Sequence, residues 1–207
     1  IKNCIIKNFS NVVYLYSSLN SVIVNNTLNL NAKGGIHFDS CTNNTIANNM
    51  ASSNSISGIM LDSSSNNTLF NNSVNSNYFG VFLVGDTANN TLNSNTLCNN
   101  RKYDIFSGSL NYATGDNNTC VTTKNYKDNE SVACNNTCPI DSCNCSSCGE
   151  CSYKLSHPSC EQVNLTADVM NLSGTCIEDP VNFNNKIFDC KGYTIIERND
   201  FEGSEFI

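Results

Sequence analysis

The chain has 207 residues, a net charge of −7 and only 14% charged residues, against roughly 25% in an average globular domain. The acidic balance, and the lack of a basic patch interleaved with aromatic residues, argue against a nucleic-acid partner. No apolar run reaches the ~18 residues of a transmembrane helix, so the sequence predicts no membrane span. Its 13 cysteines favour an oxidising setting, and we expect an extracellular or cell-surface protein.

Apolar residues recur every 23 positions through residues 1–110. A fixed period of this kind indicates a repeat architecture. The intervening residues are mostly Asn, Ser and Thr, which disfavour helical repeats, and the Leu-rich consensus of leucine-rich repeats is absent. The pattern therefore predicts an all-β solenoid, a parallel β-helix with one turn, here called a rung, per 23 residues. The predicted core stack is Val13, Ile36, Ile59, Phe82 and Ile105.

Asparagine is unusually abundant, with 39 residues. One column of the 23-residue grid consists of Asn26, Asn49, Asn72 and Asn95. Stacked Asn side chains can hydrogen-bond from rung to rung, as in cross-β ladders, so we predict an Asn ladder; the alternative is that these are solvated turn residues. Gly35 and Gly58 precede inward-facing residues and are expected to ease a corner of the rung.

Asn-x-Ser/Thr sequons predict surface N-glycosylation in an exported protein. Three of them, Asn43, Asn66 and Asn89, share one column, so their glycans would stand on the same edge of adjacent rungs. The candidate glycosylation sites are Asn8, Asn25, Asn43, Asn66, Asn71, Asn89, Asn117, Asn129, Asn135, Asn144, Asn164 and Asn171.

The 23-residue grid is lost across residues 111–160, where cysteines are dense. A segment with so little core needs covalent staples, so we expect a disulfide-rich insert. The alternative is a thiolate metal site at Cys145, Cys148 and Cys151, although the paired Cys-x2-Cys knuckles of zinc sites are missing. The disulfide candidates are Cys98, Cys120, Cys134, Cys138, Cys143, Cys145, Cys148, Cys151, Cys160, Cys176 and Cys190.

Thirteen cysteines cannot all pair. Cys4 and Cys41 fall within the rungs and are expected to be free thiols that pack as small hydrophobes. Cys176 with Cys190 is the preferred local pair, because both flank short strand-like segments. Cys98 with Cys120 is the second suggested pair.

Residues 161–207 contain short alternating segments broken by turns, which predict strands. The phrases IFDCKGYTI and IKNCIIKNF, with the repeated Asn-Asn-Thr-aliphatic unit, resemble exported right-handed parallel β-helix proteins of the NosD-like, periplasmic copper-binding type and archaeal cell-surface proteins. The resemblance implies a right-handed β-helix but no copper site here, because His and Met are few and scattered.

In that family the first phrase precedes the second, whereas in this chain it follows. The sequence thus divides into a β-helix body (1–110), the Cys-rich insert (111–160) and a segment resembling the first turns of a β-helix (161–207), which is expected to stack on a next unit. No amphipathic capping helix is predicted, and uncapped solenoid ends invite further pairing. We expect the chain to be one period of a tandem array or of a stacked polymer.

A β-helix can also be an enzyme. Asp39 and Asp62 share a column and Asp86 lies one position beyond, an arrangement that could bind Ca²⁺ or serve a polysaccharide lyase. The simpler interpretation is that an Asp at each corner accepts backbone hydrogen bonds. Lys33 and Lys102 share another column, and His37 is expected to point outward. We predict no catalytic residues, no metal and no cofactor.

The leading functional prediction is a structural repeat unit of an extracellular, glycosylated cell-surface filament, sheath or stalk. Its partners would be copies of itself, assembled head to tail, and a surface polysaccharide is a further candidate partner. The alternative is a carbohydrate-binding or carbohydrate-cleaving β-helix, such as an adhesin or depolymerase. A metal-binding module in the Cys-rich segment is a third hypothesis.

Overall fold

The computed structural model describes residues 1–108, 113–128, 134–172, 175–177 and 180–197. The chain forms two compact units, which are described separately. Unit 1 is Ile1–Asp141 and unit 2 is Ser142–Ile207.

Unit 1 is a solenoid of short parallel strands. They are β1 (Ile5–Lys7), β2 (Asn11–Tyr16), β3 (Val22–Val24), β4 (Thr27–Asn29), β5 (Gly34–Asp39), β6 (Thr45–Ala47), β7 (Ser57–Asp62), β8 (Thr68–Phe70), β9 (Phe79–Val84), β10 (Asn90–Asn93), β11 (Tyr103–Ser107), β12 (Ala113–Asp116) and β13 (Thr123–Lys124).

These strands stack into three walls. One is a six-stranded sheet in the order β13-β11-β9-β7-β5-β2, and the second a five-stranded sheet in the order β12-β10-β8-β6-β3. The third consists of the β1-β4 pair and single parallel bridges such as Thr27 to Met50 and Met50 to Ser73. Val13 pairs with Ile36 and Ile36 with Ile59, which confirms the parallel β-helix and its 23-residue rung. Because β12 and β13 continue both sheets, the solenoid extends past residue 110, where we expected the insert to begin.

The predicted core stack is confirmed at four positions and wrong at one. Val13, Ile36, Ile59 and Ile105 are buried. Phe82 instead lies on the outer face, because Ile59 pairs with Val81 and Val81 with Ile105. The rung after Ile59 is one residue shorter than 23 and the next is one longer, so a strict grid selects the neighbouring residue on the wrong face of the strand.

The position of glycine identifies the inward-facing residue that the 23-residue spacing failed to predict. Gly35, Gly58 and Gly80 each precede a buried residue, so Gly80 points to Val81 and not to Phe82. The prediction that Gly35 and Gly58 ease a corner is wrong, because both lie inside strands without a positive φ. Close packing is the reason for glycine here: a Cβ on Gly58 would lie 2.1 Å from Val74 Cγ1.

The predicted Asn ladder is confirmed. The amide Nδ2 of Asn26 donates to Asn49 Oδ1 over 3.0 Å, Asn49 to Asn72 over 3.1 Å, and Asn72 to Asn95 over 3.0 Å. The ladder continues from Asn95 to Asn118 over 3.0 Å. Two further ladders were not predicted. Their members are Asn31, Asn54, Asn77 and Asn100 in one and Asn44, Asn67 and Asn90 in the other.

Two of the ladders end on buried carboxylates. Asn118 Nδ2 donates to Asp128 Oδ1 over 2.7 Å, and Asn100 Nδ2 donates to Asp104 Oδ1 over 2.9 Å. Asp104 also accepts from three backbone N–H groups, and burial raises its pKa to about 6 although these hydrogen bonds lower it. The buried Tyr126 donates its hydroxyl proton to Asp128 over 2.6 Å. Asp104 on β11 and the segment after β12 therefore terminate two of the ladders, a closure that the sequence did not predict.

Unit 2 contains the helix α1 (Cys148–Ser156) and short parallel strands. The Ser147 side chain caps the helix by accepting from the Glu150 N–H, a signal that the sequence analysis overlooked. The strands are β14 (Asn144–Cys145), β15 (Gln162–Leu165), β16 (Val169–Leu172), β17 (Ile187–Asp189) and β18 (Ile195–Glu197). They pair as β14-β15-β17 and β16-β18, all in parallel, as expected for successive turns of a solenoid.

Five disulfides join the described cysteines. In unit 1 they are Cys98–Cys138 and Cys120–Cys134, and in unit 2 they are Cys143–Cys160, Cys145–Cys151 and Cys148–Cys176. The alternative of a thiolate metal site is therefore wrong, because the sulfurs of Cys145, Cys148 and Cys151 are all bonded.

Both suggested pairings are wrong. Thr96 pairs with Thr119, so the next residues, Leu97 and Cys120, stack on one another inside the solenoid. Cys98 follows Leu97 and is therefore not in the same column as Cys120. Cys190 is a free thiol, since Cys176 bonds Cys148. Cys4 and Cys41 are free, as predicted.

Candidate functional site

A line of mostly apolar side chains follows the outside of the six-stranded sheet. Consecutive members pair in register on neighbouring strands, so they stand one rung, about 4.8 Å, apart. We call this line the outer stripe: Tyr14, His37, Met60, Phe82, Phe106 and Lys124.

Aromatic rings gather where β9 and β11 meet. The Phe79 and Phe82 rings are stacked with centroids 4.4 Å apart, and the Phe82 and Phe106 centroids are 5.2 Å apart. The Tyr103 ring is parallel to Phe79 at 6.4 Å. Lys124 Nζ lies 5.5 Å from the centre of the Phe106 ring, a cation–π contact. All four rings are half-buried on this side of the sheet.

Carboxylates occupy the opposite end of the face. Asp39 pairs in register with Asp62, one column beyond the outer stripe. The Tyr14 hydroxyl donates to Asp39 Oδ2 over 2.9 Å, and this hydrogen bond raises the pKa of Tyr14. Ser40 and Ser63 donate to Asp39 and Asp62 respectively, but the described residues provide neither carboxylate with a cationic partner. The arrangement offers hydrogen-bond acceptors beside an apolar strip.

Of the three aspartates suggested as an acidic site, Asp39 and Asp62 are neighbours but Asp86 is not in their column. Asp62 pairs with Val84, and Asp86 follows the left-handed Gly85 on the exposed turn beyond that strand. Within the described residues, no three His, Cys, Asp or Glu side chains converge in a way that could hold a metal ion. His37 points outward, as predicted, and its ring meets the Tyr14 ring edge-on at 5.0 Å.

Six exposed sequons of the rungs follow two corner lines. Asn43, Asn66 and Asn89 form one line, one or two residues before strands β6, β8 and β10. Asn25, Asn71 and Asn117 belong to the other, which lies after strands of the same five-stranded sheet. All six have a positive φ, and each is followed by a ladder Asn. Any glycans on these Asn would therefore border the five-stranded sheet.

The remaining sequons lie elsewhere. Asn8, Asn135 and Asn144 are exposed, and Asn164 is half-buried. Asn129 and the side chain of Asn171 lie outside the described residues. Glycosylation at all twelve positions stays a prediction.

The outer stripe was not predicted from the sequence. Its members sit one position after the buried column of each strand, at the same 23-residue spacing until the short rung. The signal was present in the alternation of β9, where Val81 and Leu83 are buried and Phe82 is not. Because Phe82 was assigned to the core, the sequence did not predict an aromatic cluster on the outer face.

A match to a protein-family model supports the fold of unit 1. Residues 1–97 match the family model described as a right-handed beta helix region. No curated protein matches the chain. A solved structure, the periplasmic alginate epimerase AlgG, aligns over 92% of this chain and 39% of its own, with 20% identity and a TM-score of 0.37. The chain thus spans less than half of that protein.

The described residues contain no helix with the length and apolar character needed to cross a bilayer. The five disulfides are typical of an exported protein. Together, the family match and the stacked parallel rungs identify the fold of unit 1 as a right-handed parallel β-helix.

Proposed function

We propose that this chain is a structural module of an extracellular assembly, a rigid β-solenoid segment of a cell-surface filament, sheath or stalk. The observation that carries the proposal is the set of Asn ladders through unit 1. A mechanical role requires that neighbouring rungs resist sliding and separation, and the ladders supply this resistance inside the core.

The side-chain amides in the middle of the ladders have all their hydrogen-bonding groups satisfied, as Asn49 shows. The Oδ1 of Asn49 accepts from both the backbone N–H and the side-chain amide of Asn26. Its Nδ2 donates to Ile23 O over 2.9 Å and to Asn72 Oδ1 over 3.1 Å. Buried polar networks in which every group is satisfied rigidify a core and fix one arrangement. Sliding one rung by a single residue would leave several of these groups unpaired.

Strand edges support assembly between copies. Among the described residues, β2 and β17 each pair on one side only, and β18 pairs only with β16. The two strands of a rung begin six to eight residues apart in β1 and β2, in β4 and β5, and in β17 and β18. Because unpaired edges are templates for further pairing, we propose that β17 and β18 of one copy continue into β1 and β2 of another. The proposal covers both a tandem polypeptide and noncovalent stacking.

The test is electron microscopy of the native material together with a variant at the proposed junction. Ile5 is 79% exposed on β1, and Ile5→Lys places a charge at that edge. We expect this variant to shorten or abolish fibres. Met50→Lys is the matched control, since Met50 is two rungs further along the same column and is also exposed. Purified protein that stays monomeric at high concentration would refute head-to-tail stacking.

A carbohydrate-binding or carbohydrate-cleaving role is the second candidate. Asp39 and Asp62 beside Tyr14 favour it, because carboxylates accept hydrogen bonds from sugar hydroxyls next to an aromatic ring. Asp39→Ala or Asp62→Ala would then weaken binding of a surface polysaccharide or abolish release of its products. Unchanged binding in both variants would exclude this role for the face.

A further inference from the structure

The outer face of the six-stranded sheet has opposite charges at its two ends. Asp39 and Asp62 lie on β5 and β7, and Lys124 lies on β13 at the other end of the sheet. Between them, on β9 and β11, are Phe82 and the other rings of the aromatic cluster, and Met60 lies beside Asp62 on β7. Among the described residues, Lys124 has no carboxylate partner and Asp39 has no cationic partner. A surface with an apolar middle and opposite charges at its ends is complementary to itself when one copy is reversed.

The same face is free of sequons. Six exposed sequons of the rungs border the five-stranded sheet, whereas the described strands of the six-stranded sheet carry none. The exposed sequon Asn8 precedes β2, the end strand, which lies outside the stretch from β5 to β13. A glycan is bulky and hydrated, so it prevents close packing of the surface beneath it. The sequon pattern therefore leaves the aromatic face accessible to a protein surface.

We propose that two copies of this chain pair laterally through the outer stripe, face to face and with their solenoid axes antiparallel. The two-fold axis passes near Phe82, so that Phe82 of one copy meets Phe82 of the other. Phe106 then lies opposite Met60, and Lys124 lies beside His37 and Asp39. The contact is isologous, since each copy uses the same patch. It is separate from the proposed head-to-tail contact at the strand edges.

The available area fits a reversible dimer. Five rungs from β5 to β13 at ~4.8 Å each give a length of about 24 Å, and strands of six residues are about 20 Å long. The overlap is thus about 500 Å² per copy and about 1,000 Å² in total, near the lower limit for a specific interface. The half-buried rings would supply the apolar centre, and the charged ends would fix the antiparallel orientation. We expect a dissociation constant of micromolar order, so that pairing becomes strong only where many copies are aligned.

The test is sedimentation velocity of the full chain across a concentration series. Phe82→Ser should weaken dimerisation at least tenfold. Phe70→Ser should leave it unchanged, because Phe70 is a 46% exposed phenylalanine on the other sheet. Lys124→Glu and Asp39→Lys should each weaken pairing by placing like charges together, and the double variant should restore it. Thermal unfolding of each variant checks that the solenoid remains intact.

Several results would overturn the proposal. These are a wild-type chain that stays monomeric at several hundred micromolar, equal effects of the two phenylalanine variants, or a charge swap without rescue. Polysaccharide binding that is lost in Phe82→Ser, with no dimer at any concentration, would instead assign the face to a carbohydrate. Fibre length responds to Ile5→Lys and lateral pairing to Phe82→Ser, so failure of either contact can be distinguished from failure of the other.

Discussion

Removing one amide from the middle of a ladder should destabilise the whole solenoid. Asn72 is 2% exposed, and its Oδ1 accepts from both the backbone N–H and the side chain of Asn49. Its Nδ2 donates to Ile46 O over 2.8 Å and to Asn95 Oδ1. Asn72→Leu keeps a similar volume but leaves two donors of Asn49 without an acceptor, and Ile46 O loses a donor. Each orphaned buried group costs about 1–3 kcal/mol, and apolar burial of Leu offsets about 1–2 kcal/mol.

We therefore expect the free energy of unfolding to fall by about 1–5 kcal/mol in Asn72→Leu, measured by urea denaturation followed by circular dichroism. Asn71→Gly is the matched control. Asn71 is the exposed neighbour with a φ of 51°, a conformation that glycine adopts without strain. Its loss should change stability by less than about 1 kcal/mol. A loss below 1 kcal/mol in Asn72→Leu, or equal losses in the two variants, would show that the ladder does not hold the rungs together.

Three further predictions concern other parts of the chain. Burial raises the pKa of Asp104 to about 6 in the folded protein, above an unfolded value near 3.9, so the folded state binds this proton more tightly. Its contribution to stability is complete below about pH 4 and falls by about 3 kcal/mol as pH rises through 6; denaturation at several pH values should show this slope in the wild type and a flatter one in Asp104→Asn. Gly58→Ala places a methyl group against Val74 and should lower the free energy of unfolding by about 1–3 kcal/mol, partly restored by Val74→Ala; equal stability of wild type and Gly58→Ala would contradict the packing argument. Alkylation of the native protein, read by mass spectrometry, should label the half-buried Cys4 and Cys190 and reach the buried Cys41 only after denaturation; a labelled Cys176 would contradict its bond to Cys148.

Periodic stacking explains why much of unit 1 could be predicted. Equivalent side chains lie above one another, so Ile36 and Ile59, or Asn49 and Asn72, identify their own contacts from spacing alone. The other two ladders have the same 23-residue spacing, and in the structure each ladder Asn follows a residue with a positive φ. To predict them, the corner residues of each rung had to be identified as well as the 23-residue columns.

The failures have local physical causes. At Phe82 a rung shortens by one residue, and the two faces of a strand exchange when the count slips by one. Disulfide partners depend on how irregular segments approach one another, as Cys148 and Cys176 do with Cα atoms 4.9 Å apart. The spacing of cysteines in the sequence does not predict which irregular segments come close together. The aromatic face was missed as a direct result of the first error.

The uniform direction of the amides in each ladder has a consequence for how such a protein can change in length. Every Asn presents its oxygen to the preceding rung and its NH₂ to the following one, and carboxylates close the far end at Asp104 and Asp128. A block of 23 residues inserted among the middle rungs would find matching groups above and below, and both terminators would be undisturbed. Reach is then adjustable in steps of about 4.8 Å by duplication or loss of single blocks, as with a ruler made of identical divisions.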